Sequence, residues 1–194
     1  MGAIPKILAF AGSTRKESFN KKLVAVAVSG ARAAGAQTTL IDLRDYPLPL
    51  FDQDLEQEHG LPENAVKLKE LMVAHDGLLI SSPEYNSSIS GVLKNAIDWV
   101  SRKGDPDEPG LAAFQGKVAA IMGASPGGLG GMRGLVHLRS ILGNIGVLVI
   151  PSQKAISKAF SAFAEDGSLV ESRQQRAVEA LGAEVARIVS KLKD

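Results

Sequence analysis

Apolar and polar positions along this chain switch repeatedly between a strand-like and a helix-like period. Ile4 to Ala11 is a short apolar run that reads as a buried strand. It is followed from about Phe19 to Ala34 by a helical stretch with Leu23, Val24, Ala27 and Val28 on one side. Gln37 to Leu43, rich in Thr and Ile, reads as a second strand, and a long connection through Tyr46, Pro47, Pro49 and Phe51 leads to a helix near Glu63 to His75. The alternation continues with a strand at Gly77 to Ser82, a helix at Gly91 to Arg102 and a strand at Lys117 to Met122. It closes with a helix at Met132 to Asn144, a fifth strand at Val147 to Ile150, and an amphipathic helix from about Glu171 to Leu192. Val178, Leu181, Val185, Ile188, Val189 and Leu192 stand at helical spacing in that last segment.

Five strand–helix units predict an α/β fold, a doubly wound five-stranded parallel sheet with helices on both faces. Five strands ending on a C-terminal helix favour the flavodoxin order 2-1-3-4-5 over the Rossmann order. There is no internal repeat, low-complexity tract or linker, so residues 1–194 are expected to form one domain. In the predicted order strands 1, 3 and 4 are neighbours, and a ligand binds beyond their carboxyl ends.

Composition narrows the chemistry. There are no cysteines, which excludes disulfides, a thiol nucleophile and an iron–sulfur cluster. Lys and Arg number 22 against 21 Asp and Glu, a balance that gives no reason to expect nucleic acid or an anionic membrane as partner. The apolar runs fall far short of the ~20 residues that span a bilayer. With no leader-like segment at the start, a cytoplasmic location is expected. His59, His75 and His137 are scattered, so neither a catalytic dyad nor a metal cluster is expected, and no catalytic acid or base stands out.

The three loops after strands 1, 3 and 4 are the most unusual parts of the chain. The first, Gly12-Ser13-Thr14-Arg15-Lys16-Glu17-Ser18-Phe19-Asn20, runs from a strand into a helix start. Unpaired backbone N–H groups and the positive dipole end there suit a phosphate. Ser13, Ser18 and Asn20 add neutral donors and Arg15 a charged planar one. No GxGxxG follows strand 1 and no GxxxxGK[ST] occurs, so a dinucleotide fingerprint and a Walker loop are excluded. The second loop, Ser82 to Gly91, holds a rigid Pro83-Glu84-Tyr85-Asn86 turn able to lie against a planar ring. The third, Gly123 to Gly131, has five glycines among nine residues, which points to close backbone approach to a flat ligand.

On these residues the sequence resembles the NADPH-dependent FMN reductase family, including its flavodoxin-like quinone and chromate reductases. The first loop is similar to the family's G-S-x-R-x-x-S-x-N phosphate loop, and P-E-Y-N-x-S-x-x-G-x-L-K-N-A-I-D-W from Pro83 to Trp99 to its most specific signature. The Ser125 loop, Leu138-Arg139 and the connection from Asp42 to Asp52 also resemble the family, so the similarity runs from about Ile7 to Ile150.

The resemblance implies bound FMN and NADPH or NADH as hydride donor. Ser13, Arg15, Ser18 and Asn20 would hold the phosphate, with Phe19 beside them. Pro83, Glu84, Tyr85 and Asn86 would border the ring, and Ser125, Gly127 and Gly128 would close its other side. Ser90 departs from the family, which usually has proline there, and a looser start to the following helix is the expected consequence. The implied reaction is ping-pong transfer to a small-molecule acceptor, whether a quinone, free flavin, azo compound or metal oxyanion such as chromate. The alternatives are a flavodoxin-type electron carrier, which tends to be strongly acidic where this chain is near neutral, and a regulatory domain with a vestigial site. A homodimer or homotetramer is also implied, with Tyr46, Leu48, Leu50 and Phe51 as candidate interface residues.

Overall fold

The computed structural model describes residues 3–193. Its centre is a parallel sheet of β1 (Lys6–Ala11), β2 (Gln37–Asp42), β3 (Gly77–Ser81), β6 (Val118–Ala124) and β7 (Leu148–Ile156), in the order β2-β1-β3-β6-β7. This is the expected 2-1-3-4-5 arrangement counted over the strands of the sheet. Two further strands, β4 (Glu84–Tyr85) and β5 (Ser88–Ile89), form a small antiparallel hairpin outside it.

Side chains of the central strands alternate between two cores, as a sheet covered on both faces requires. Ile7, Ala9 and Ala11 of β1 face α1 (Phe19–Ala33) and the last helix, α7 (Ser172–Lys193), whereas Leu8 and Phe10 face the other side. That second face is covered by α3 (Glu63–Val73), α4 (Gly91–Val100) and α5 (Met132–Asn144). Ala120 and Met122 of β6 join the first core and Ala119 and Ile121 the second.

Several elements differ from the periodic reading. The final strand does not stop at Ile150 but runs through Pro151 to Ile156. It lies at the sheet edge, where a residue without an N–H is tolerated. Its register against β6 shifts, from Ala119 opposite Val149 to Ile121 opposite Gln153. Arg139 fills the irregularity, donating to the carbonyls of Val149 (3.2 Å) and Ile150 (2.9 Å) and to the Gln153 side chain (2.9 Å). A short helix, α2 (Gln53–His59), arises inside what reads as a bare connection. The Asp52 carboxylate caps it, accepting from Asp54 N–H at 2.8 Å, and Arg102 holds it through Glu56 at 2.8 Å. The last short helix, α6 (Ala159–Ala162), follows β7 directly.

The connection after β2 folds on its own chain. Tyr46 and Leu48 pack against the second core and Phe51 meets Trp99 edge-on at 5.0 Å, which leaves Leu50 exposed. His75, with both ring nitrogens hydrogen-bonded, ties α3 to the edge strand through Leu71 O and Thr39 Oγ1.

Candidate functional site

The carboxyl ends of β1, β3 and β6 stand side by side, and their hydrogen bonding continues one residue past each strand. Gly12 N–H donates to Ser81 O and Ser82 N–H to Met122 O, both at 2.8 Å. The three unusual loops therefore leave the sheet at one place, and they enclose a cleft of about 260 Å³. Ser13, Arg15, Ser18, Phe19, Asn20, Pro83, Glu84, Tyr85 and Ser125 all line it, joined by Ala124, Pro126 and Phe160. Larger hollows exist, one of about 510 Å³ on the outer face of α1. That one mixes Lys16, Lys21 and Lys22 with Glu17, Glu165 and Asp166, so it presents both signs of charge and lies away from the strand ends.

At the start of α1 the backbone is ready for an anion. Ser18 is the N-cap, yet its hydroxyl caps nothing. Lys21 and Lys22 N–H are taken by Ser18 O, whereas the Phe19 and Asn20 N–H groups find no acceptor among the described residues. Ser13 and Ser18 are buried, at 5% and 4% exposure, so their hydroxyls belong to the cleft rather than to bulk solvent. Arg15 is exposed with its guanidinium 5.3 Å from the Phe19 ring centroid. Donors, dipole and a planar cation thus coincide, the set a phosphate monoester needs.

Asn20 does more than line the cleft. Its amide donates to Ala124 O (3.0 Å), and its carbonyl oxygen accepts from Ala124 N–H (2.9 Å) and from the Ser81 hydroxyl (2.8 Å). Three of the four hydrogen bonds an amide side chain can make are spent inside the protein, which leaves one N–H. They latch the first loop to the ends of β3 and β6.

In the second loop, Asn86 (φ 51°) and Ser87 (φ 66°) both lie in the left-handed region. That is the two-residue turn a tight hairpin favours. Asn86 sits at its tip, outside the cleft lining. The Glu84 carboxylate turns away from the mouth to the first turn of α5, where it accepts from Arg133 Nε (2.7 Å) and from the Arg133 and Gly134 N–H groups (3.0 and 3.3 Å). Burial pushes its pKa up, but these hydrogen bonds outweigh burial and hold it below the ordinary glutamate range. Glu84 is therefore an anion at neutral pH that fixes the hairpin on α5. Gly134 completes the joint, since a Cβ there would come 3.0 Å from Ser88 O.

Ser90 sharpens the picture at its departure from the family pattern. Rather than loosening the start of α4, its hydroxyl accepts from Leu93 N–H (3.2 Å) and donates to Gly12 O (2.6 Å). The N-cap is thereby tied to the first loop, a link that proline cannot make. Ser90→Ala is expected to cost about 1–2 kcal/mol, a lost cap plus a carbonyl left without its donor. A thermal melt of the variant beside the parent checks it.

The glycines of the third loop divide into two groups. Gly130 (φ 63°) and Gly131 (φ 93°) serve the fold, and a Cβ on Gly130 would run into the Ile156 backbone at 2.7 Å. Gly127 and Gly128 lie just outside the cleft lining, and no backbone crowds either position. The N–H groups of Gly128 and Leu129 find no acceptor among the described residues. Phe160 is the lining residue that periodicity misses. Its one signal is an aromatic pair, Phe160 and Phe163, at i, i+3 in an otherwise small-residue stretch.

Comparison with known proteins gives the site its context. A family model described as NADPH-dependent FMN reductase matches residues 5–161. An NAD(P)H-dependent FMN reductase of Pseudomonas aeruginosa is 37% identical over 175 residues, covering 90% of this chain and 89% of that protein. A quinone reductase of Escherichia coli is 40% identical over 137 residues, covering 71% and 69%. Among solved structures, the flavoenzyme NAD(P)H:(acceptor) oxidoreductase FerB of Paracoccus denitrificans superposes with a TM-score of 0.80 at 28% identity, covering 97% of this chain and 98% of that one.

Proposed function

Because this chain belongs to the NADPH-dependent FMN reductase family, we propose that it is an oxidoreductase whose cleft at the strand ends holds FMN and passes electrons from NAD(P)H to a small-molecule acceptor such as a quinone. The observation that carries this reading is the convergence, in one cleft, of the unpartnered α1 N–H groups and buried serine hydroxyls of the first loop with the hairpin and the third loop. The chemistry the flavin supplies is hydride uptake from NAD(P)H and, in a separate ping-pong half-reaction, delivery of the electrons to a quinone, free flavin, azo compound or metal oxyanion such as chromate.

The residues divide the remaining work. Ser13, Ser18, the α1 N–H groups and Arg15 take the phosphate. Pro83 and Tyr85 border the ring, and the hairpin that carries them is kept rigid by Glu84 and Arg133. Ser125 would close the other side, and Gly127 and Gly128, just outside the lining, would bring the free N–H groups of Gly128 and Leu129 to its edge as donors to a ring that carries negative charge. Asn20 holds the first loop in register with the other two. Exposed Tyr85, Leu129, Met132 and Val136 on the same side supply an apolar surface for a homodimer or homotetramer, which light scattering on the purified protein measures.

The test of the cofactor and the reaction is spectroscopic. Protein loaded with FMN should be yellow, bleach on addition of NADPH under nitrogen, and recover colour with a quinone. Failure to retain flavin, or retention without bleaching by either NADPH or NADH, rules the proposal out. Arg15→Ala is expected to weaken FMN binding about 10- to 100-fold through loss of a charge-assisted bond. Riboflavin, which has no phosphate, should bind parent and variant alike in the same fluorescence titration.

A further inference from the structure

After β7 the chain turns sharply at Lys158, which stands in the left-handed region (φ 51°, ψ 43°) that disfavours residues with a side chain. The turn is fastened to the third loop: Lys158 N–H donates to Gly127 O (3.4 Å) and Ala159 N–H to Ser125 O (3.1 Å). Ala159 is fully buried beneath that loop, and the next residue, Phe160, is thrown outward at the rim of the cleft, 78% exposed. Its ring meets Phe19 edge-on, with centroids 5.3 Å apart. Phe19 in turn stacks on Phe163 at 5.9 Å and carries the Arg15 guanidinium.

Phe163 and Phe19 are packed against the first core and account for the cohesion of this corner. Phe160 has no such role, since it shares one edge contact and shows most of its surface to solvent. A large apolar ring is thus held in the open by its backbone rather than by burial. Two residues before it, Lys158 has no carboxylate partner among the described residues. An open aromatic ring with a cationic residue two positions before it in the chain is chemistry that suits a purine nucleotide, the base against the ring and the phosphates toward the cation.

We propose that Phe160 is the stacking platform for the adenine of the dinucleotide hydride donor, with Lys158, two residues before it, as the cation left to draw the donor's phosphates once Arg15 is engaged by FMN. This rests on the NAD(P)H-dependent reading given above. The donor's nicotinamide end has to reach the flavin, so its adenylate end is held elsewhere, and Phe160 governs how firmly the donor is held. Adenine could also arrive as the adenylate half of FAD. The two sources share one chemistry and are separated by experiment.

The experiment compares two donors, NADPH and reduced nicotinamide mononucleotide, which lacks the adenylate half. In Phe160→Ala the ratio of kcat/KM for NADPH to that for the mononucleotide should fall about tenfold, the size of one lost base–aromatic stack. Changes in folding or flavin loading affect both donors and cancel in the ratio. Phe160→Tyr should restore it. Independently of turnover, calorimetric binding of adenosine 2′,5′-bisphosphate to the FMN-loaded protein should weaken by a similar factor in Phe160→Ala. An unchanged donor ratio with unchanged bisphosphate binding overturns the proposal. So does a variant in which only the preference for FAD over FMN shifts, since the ring then serves the cofactor. If the parent oxidises neither donor, the reductase reading fails, whereas the bisphosphate titration still decides whether Phe160 binds adenine.

Discussion

Gly182→Ala is expected to lower the melting temperature by about 4–8 °C, whereas Gly143→Ala should leave it unchanged or raise it slightly. Both glycines are helical, and alanine is the better helix former at either position by about 1 kcal/mol. What separates them is the space a Cβ would need. At Gly143, in α5, nothing lies within 4 Å of it. At Gly182, in α7, it would fall inside the van der Waals envelope of Ala27 O and 2.9 Å from Ala31 N, both backbone atoms of α1. Gly30 of α1 meets the Glu179 backbone reciprocally. The two helices therefore touch backbone to backbone, and no side-chain rotation can absorb the added carbon. They must separate, which disturbs the buried row Val178, Leu181, Val185 and Val189 against the sheet. Overpacking of this kind costs about 3 kcal/mol, and the propensity gain offsets only about 1 kcal/mol of it. The remaining 2 kcal/mol or so corresponds to the stated shift for a chain of this size. Differential scanning calorimetry of both variants with the parent checks the contrast, and a Gly182→Ala melt equal to the parent's would refute the backbone contact.

That helix pair also shows what the chain's pattern discloses and what it hides. The spacing of Val178, Leu181 and Val185 identifies α7 and its buried face, because a 3.6-residue period survives any tertiary context. It does not disclose the partner of that face, nor why Gly182 sits within it. It also includes Leu192, which extends past the packed region and is exposed. The central strands are legible for a similar reason, since burial on both faces leaves continuous apolar runs at β1, β3 and β6. Their carboxyl ends place the site before any side chain is considered. The hairpin β4–β5 is not legible, because two-residue strands carry no period. It exists through contacts remote in sequence: Glu84 on the first turn of α5, and Gly134 against Ser88 O. Glu84 reads from its motif as a ring neighbour, and it does line the cleft, yet its carboxylate is engaged elsewhere. Pro151 marks the end of a strand by local rule and is overridden at a sheet edge, where Arg139 satisfies the carbonyls that a regular ladder would have paired.

Asn20→Ala is expected to abolish retention of FMN through purification and to destabilise the protein by about 3–5 kcal/mol. The side chain is 3% exposed, and Ser81, which donates to it, is fully buried. Truncation orphans two donors, the Ser81 hydroxyl and the Ala124 N–H, together with the Ala124 carbonyl. Leaving a buried polar group unpaired costs about 1–3 kcal/mol, and a water entering the vacated space offsets part of the sum. The functional effect is separable from the loss of stability. Without the latch the first loop is held to the sheet end chiefly through Gly12, whose N–H donates to Ser81 O and whose carbonyl accepts from Ser90. Ser13 and Ser18 then lose their fixed relation to the Ser125 loop, and a ligand bridging the two must order them at its own cost. Asn20→Asp, titrated below its own melting temperature, tests the charge at this position separately from unfolding. A carboxylate still accepts from Ser81 and Ala124 N–H but has no proton for Ala124 O, and it adds negative charge beside the phosphate loop. It should therefore melt well below the parent, since the buried carboxylate faces Ala124 O with no proton to share, and bind FMN at least tenfold more weakly than the parent. If Asn20→Asp binds FMN as tightly as the parent at low salt, the loop does not hold a phosphate. Thermal melts and fluorescence titration with FMN and riboflavin, run on both variants, give the answer.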